Sequence, residues 1–109
     1  ALVHQSMTHY VQAITLHEEA LQIARALPDP LLEAWVLINT AQTYQRAGRS
    51  NEALAYLDQA AEPARQCRNT AAQATALDVR GQVLIDLGDH HSAQRCQEFA
   101  SKLRHQLES

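Results

Sequence analysis

Trp35-Val-Leu-Ile-Asn-Thr-Ala41-Gln-Thr-Tyr44-Gln-Arg-Ala-Gly48-Arg-Ser50-Asn-Glu-Ala53-Leu-Ala-Tyr-Leu57-Asp-Gln-Ala60-Ala61 reads as one helical hairpin. Small residues at Ala41, Ala53 and Ala60 let two helices approach closely, and Tyr44 and Leu57 fill the space beside them. Gly48 supplies the backbone freedom a tight turn needs. Ser50 is the expected N-cap of the second helix.

The spacing returns 40 residues later, where Gly81, Leu84, Gly88, Ala93 and Ala100 stand in the places of Ala41, Tyr44, Gly48, Ala53 and Ala60. In the other direction, 40 residues earlier, Ala13 and Ala20 match Ala53 and Ala60. Hairpins recurring at a fixed period of this size signal a stacked solenoid.

On these residues the chain resembles the tetratricopeptide repeat family, over roughly residues 8 to 104. The family's small, aromatic, glycine, alanine and alanine positions are met by Ala41, Tyr44, Gly48, Ala53 and Ala60, and by Gly81, Leu84, Gly88, Ala93 and Ala100. Two departures stand out: the period is 40 residues against the family's usual 34 or so, and Leu37 and Leu77 occupy a place often held by tryptophan. The longer period resembles the repeat arrays of bacterial signal-transducing ATPases and transcription regulators. The resemblance implies an all-α fold, antiparallel hairpins stacked as a right-handed solenoid of about five helices.

Taken in order, the first unit is residues 1–28, the second helix of a truncated repeat. Its apolar residues Val11, Ile14, Leu16, Leu21 and Ile23 interleave with Ala13, Ala20 and Ala24 from about Thr8 to Ala26. Residues 1–7 are expected to be the tail of an earlier helix. The second unit is 29–69: Asp29 caps and Pro30 opens a helix to about Ala47, and the next runs from Ser50 toward Cys67, with a kink or an early end at Pro63. The third unit is 70–109, where Thr70 and Gln73 form a capping box and Asp89 caps a last helix to about Leu107. In that helix Gln94 and Ser101 replace Ile14 or Leu54 and Leu21 or Ala61, a more polar face of the kind that closes a solenoid. The unpaired first helix predicts a homodimer formed through its uncovered face.

Composition narrows the chemistry. The 109 residues are 46% apolar, Ala-rich and poor in aromatics, so the core is built from close helix contacts. A net charge of −3 gives no basic field for a phosphate backbone, and no apolar run is long enough for a bilayer, so neither nucleic acid nor membrane is an expected partner. Without a signal-peptide layout, and with Cys67 and Cys96 expected as reduced thiols, the expected location is cytoplasmic.

Nothing in the residue pattern favours catalysis, a cofactor or a metal. His90 and His91 are adjacent and diverge by about 100° on a helix, and His17 lacks the second histidine of a zinc helix. The three glycines make no phosphate loop. What remains is a surface. The resemblance places the first helix of each hairpin on the concave side, making Trp35, Ile38, Asn39, Gln42 and Arg46, with Asp78, Gln82 and Asp86, the candidate residues for binding a protein or peptide. Trp35 is either an anchor or a packing residue. The paired lysines of the chaperone-carboxylate clamp are missing, since Ile38, Thr75, Asp78 and Val79 stand in their places. The expected function is a non-catalytic interaction module within a larger protein. The alternative is a ligand-sensing arm of a bacterial transcription regulator or signalling ATPase.

Overall fold

The structure, a computed structural model, describes the backbone of residues 2–108 and the side chains of residues 9–106. Among the described residues there are five helices and no strand: α1 Leu2–Ala26, α2 Pro30–Arg46, α3 Ser50–Gln66, α4 Thr70–Asp86 and α5 His90–Glu108. Four of them start 20 residues apart, at 30, 50, 70 and 90, so the 40-residue repeat is two helices with near-identical turns.

Those turns follow from local hydrogen bonding. Each helix leaves its last carbonyls unpaired, and a chain reversal of three residues returns backbone N–H groups to them. Arg49 N–H donates to the Tyr44 carbonyl at 2.8 Å, Asp89 N–H to the Leu84 carbonyl at 2.8 Å, and Asp29 N–H to the Ala24 carbonyl at 3.0 Å. The geometry needs positive φ at the middle residue of the last two α–α turns within the hairpins, where Gly48 (80°) and Gly88 (86°) provide it. At the corresponding place between α3 and α4, Arg68 adopts φ 52° despite its side chain.

Helix starts depart from expectation in two places. Asp29 does cap α2, its Oδ1 accepting the Leu32 N–H at 3.1 Å, with Pro30 in the first turn. At α3, however, the N-cap is Arg49, which makes no side-chain cap bond, and Ser50 is already the first helical residue. At α4 the cap is Asn69, whose Oδ1 accepts the Ala72 N–H at 2.7 Å, so Thr70 and Gln73 form no capping box. Gln73 instead donates to the Ala64 carbonyl at 3.4 Å, an acceptor at the end of α3 that it shares with the Cys67 thiol, also at 3.4 Å.

Two further corrections concern helix extent. Residues 2–7 continue α1 without a break and are not the tail of a separate helix. Residue 1 lies outside the described residues. α3 does not end early at Pro63 but runs on to Gln66: the ring is buried and the Cys67 N–H closes on the Pro63 carbonyl at 3.1 Å, so one missing N–H is tolerated inside the helix.

The core is the seam of each hairpin. Leu37, Ile38, Leu57, Val79 and Val83 are the largest fully buried side chains, each stabilising the fold by about 1.5–3 kcal/mol through removal from water. Around them lie Ala34, Ala41, Ala53, Ala60, Ala64 and Ala72, all essentially without solvent contact. The Tyr44 and Tyr56 rings stack at 5.0 Å and 17°, joining α2 to α3. In the second hairpin Gly81 takes the place of Ala41, and the Ala93 carbonyl and Cys96 Cβ lie 3.5 and 3.7 Å from where its Cβ would be.

Candidate functional site

The arrangement of helices decides which surface is available. α2 packs against α1 and α3, α4 packs against α3 and α5, and α2 touches α4. Among the described residues α1 does not contact α3, nor α3 contact α5, through the backbone. The overall extents are 48 × 37 × 21 Å, and the shortest is about two helix diameters, so the helices form two layers. One layer is α2 and α4, side by side; the other is α1, α3 and α5, spread apart. A two-layer stack that is closed on one side and open on the other bends, and α2 and α4 lie on the inside of the bend.

The eight residues expected on that inner wall do not share one environment. Asn39, Arg46 and Gln82 are exposed on α2 and α4, and Gln42 is half-buried between them and the core. Asp86 is exposed as well and accepts a hydrogen bond from Gln45 Nε2 at 3.1 Å, a direct tie between the C-terminal halves of α2 and α4. Asp78 faces another way, its carboxylate bound by both terminal nitrogens of Arg104 on α5. Trp35 is partly buried and packs against the hydrophobic cluster, which supports the packing role.

Ile38 is corrected outright. It has no solvent exposure and belongs to the core cluster, as does Val79 at 2%. Both belong to the buried core, although the family resemblance puts Ile38 on the wall. The remaining surface is amide-rich, with Arg46 as its cation and Asp86 as its anion.

Other titratable groups serve the framework. His17 on α1 lies with Nε2 3.1 Å from Thr43 Oγ1 on α2, and burial holds its pKa below the usual 6.5. Tyr44 is pushed up to about 12, first by burial and then by its hydrogen bond with Tyr56. Asp89 is held below the usual carboxylate range, chiefly by the Ser92 N–H it accepts as the cap of α5. Cys67 and Cys96 are free thiols, and burial pushes Cys96 up. Among the described residues no three His, Cys, Asp or Glu side chains are placed to hold a metal ion, and no helix is long and apolar enough to cross a membrane. His4 lies outside the residues whose side chains are described.

Sequence reasoning missed the side chains that tie one repeat to the next. Arg25 on α1 donates to Glu33 Oε2 on α2 at 3.2 Å and to Gln59 Oε1 on α3 at 3.3 Å. Arg80 on α4 pairs with Asp58 on α3 at 2.6 Å. Comparing residues 40 apart flags only part of this: Glu33 and Gln59 change to Gln73 and Phe99, and Thr40 to Arg80, whereas Arg25 is matched by Arg65.

The family model described as Tetratricopeptide repeat matches residues 1–66, spanning α1 to α3. No curated protein and no solved structure matches the chain.

Proposed function

This chain belongs to the tetratricopeptide repeat family, and from that premise we propose that it is a non-catalytic module whose α2–α4 wall holds an extended or helical segment of another protein. The observation that carries this reading is the wall's combination of inward curvature with unpaired amides: Asn39, Gln42 and Gln82 flank the α2–α4 contact, and each offers both a donor and an acceptor. Such groups read a peptide backbone without demanding a particular side chain. Arg46 adds a point of charge recognition for an acidic residue. Asp86, tied to Gln45, opposes a purely anionic ligand, so the segment favoured is neutral or of mixed charge.

Selection from a random peptide library displayed on phage tests the proposal. The expected result is a set of related peptides whose binding falls at least about tenfold in Arg46→Glu and in a Gln42→Ala/Gln82→Ala double variant, while helix content stays the same. Peptides that bind these variants as well as the parent would place the contact surface elsewhere.

A further inference from the structure

The two gaps between outer-layer helices are equivalent by the 40-residue repeat, yet they are filled differently. Between α1 and α3 the gap is crossed by Arg25, which holds Glu33 at 3.2 Å and Gln59 at 3.3 Å. The residues 40 further on are Arg65, Gln73 and Phe99. Each change removes part of the bridge. Gln73 has no carboxylate and directs its amide to the Ala64 carbonyl. Phe99 accepts no hydrogen bond and stands 57% exposed. Arg65 therefore turns back along its own helix to Glu62 at 2.6 Å.

What remains is a cleft of about 180 Å³ between α3, α4 and α5. Its lining is apolar at Leu57, Ala64, Leu77, Phe99 and Leu103, and its charged lining residues are Arg65 and Arg80, with no carboxylate. Both arginines are already paired, with Glu62 and Asp58, but those acids lie outside the cleft with side chains 62% and 68% exposed. Pairs so exposed hold their partners weakly and exchange them easily. An apolar space of about 150 Å³ accepts a benzene ring, so this cleft has room for one ring or a branched chain of similar size.

We propose that this cleft is a binding site for a small aryl or branched-alkyl carboxylate. The apolar body lies beside Phe99 over Ala64 and Leu77. The carboxylate accepts hydrogen bonds from Arg65 and Arg80, replacing Glu62 and Asp58. The site faces away from the α2–α4 wall and stands independently of what that wall binds.

Titration of the whole chain with 3-phenylpropionate, followed by NMR shifts of Ala64, Phe99 and Leu103, tests the site, with 3-phenylpropanol and 3-phenylpropylamine as charge controls. The expected result is saturable shifts at these residues, with the acid binding at least about tenfold more tightly than the alcohol or the amine. Arg65→Gln and Arg80→Gln should each weaken the acid several-fold, roughly the effect of losing one charge-assisted hydrogen bond. A Gln73→Glu/Phe99→Gln variant rebuilds the Arg25-type bridge and should abolish the shifts at Ala64 and Leu103 while leaving the helical circular dichroism intact. Equal binding of acid, alcohol and amine, no saturable shift in the parent, or undiminished binding in the bridged variant would each overturn the proposal. Arg65→Gln, a surface change, decides the same question if the bridged variant does not fold.

Discussion

Four residues stand at equivalent places before α2, α3, α4 and α5: Asp29, Arg49, Asn69 and Asp89. Three cap their helices through a side-chain oxygen, and Arg49 does not. Arg49→Asn should therefore stabilise the fold by about 1 kcal/mol, the usual worth of a cap, measured by urea unfolding. A neutral or negative effect would mean that the Arg49–Glu52 pair at 3.6 Å matters more than its exposure implies. Arg68 holds a left-handed backbone that Gly48 and Gly88 adopt without a side-chain penalty. Arg68→Gly should add about 0.5–1 kcal/mol once glycine's larger unfolded-state entropy is subtracted. Neither stands out in the sequence of its own helix, because an uncapped start and a strained turn show only against the geometry of their counterparts, three for Arg49 and two, Gly48 and Gly88, for Arg68.

His17 gives the fold a dependence on pH. Its folded pKa lies below 6.5, so the unfolded chain takes up the proton first as the pH drops. Stability from this group is present above about 6.5 and is lost as the pH falls through the window beneath it. The thermal midpoint should decline between pH 7 and pH 5, and less so in His17→Gln, which keeps a partner for Thr43. An unchanged pH slope in the variant would remove His17 from the account.

At the scale of the helix, most boundaries were legible. A 40-residue spacing of small residues, punctuated by Gly48 and Gly88, located four helices closely, because close approach and turn geometry both restrict residue type. The misreadings were of one position or one partner: Ser50 and Thr70 look like caps but sit one residue inside. Pro63 suggests a kink or an early end, and of these the early end does not occur: α3 runs on to Gln66 with the proline buried. Gly81 marks where the two hairpins differ in packing. An added Cβ would meet atoms at 3.5–3.7 Å, ordinary contact distance, so Gly81→Ala should stabilise α4 by about 0.5–1 kcal/mol, with Ala41→Gly losing a similar amount in the other repeat. A loss of stability in Gly81→Ala would show that α4 and α5 are closer than this geometry allows.

For the molecule as a whole, the sequence disclosed the stacking but only part of the wall. Ile38 is in the core and not on the surface, because a position that the resemblance assigns to the concave side is also an apolar position that joins the core cluster of this chain. The outer layer has its own consequence. Leu16, Ile23 and Leu27 on and after α1 are 64%, 57% and 66% exposed, whereas their counterparts 40 residues on, Tyr56, Pro63 and Cys67, are partly or fully buried in a hairpin. Sedimentation should therefore detect concentration-dependent self-association that Leu16→Glu/Ile23→Glu suppresses. Monomers at every concentration would mean that α1 tolerates this face in water.

The central claim is that the inner wall of α2 and α4 is where another polypeptide lies. Amide hydrogen exchange on the chain with and without a library-selected peptide tests it most directly. The account predicts added protection concentrated along α2 and α4, around Asn39, Gln42, Arg46 and Gln82. Protection confined to α3 and α5, with α2 and α4 unchanged, would contradict it.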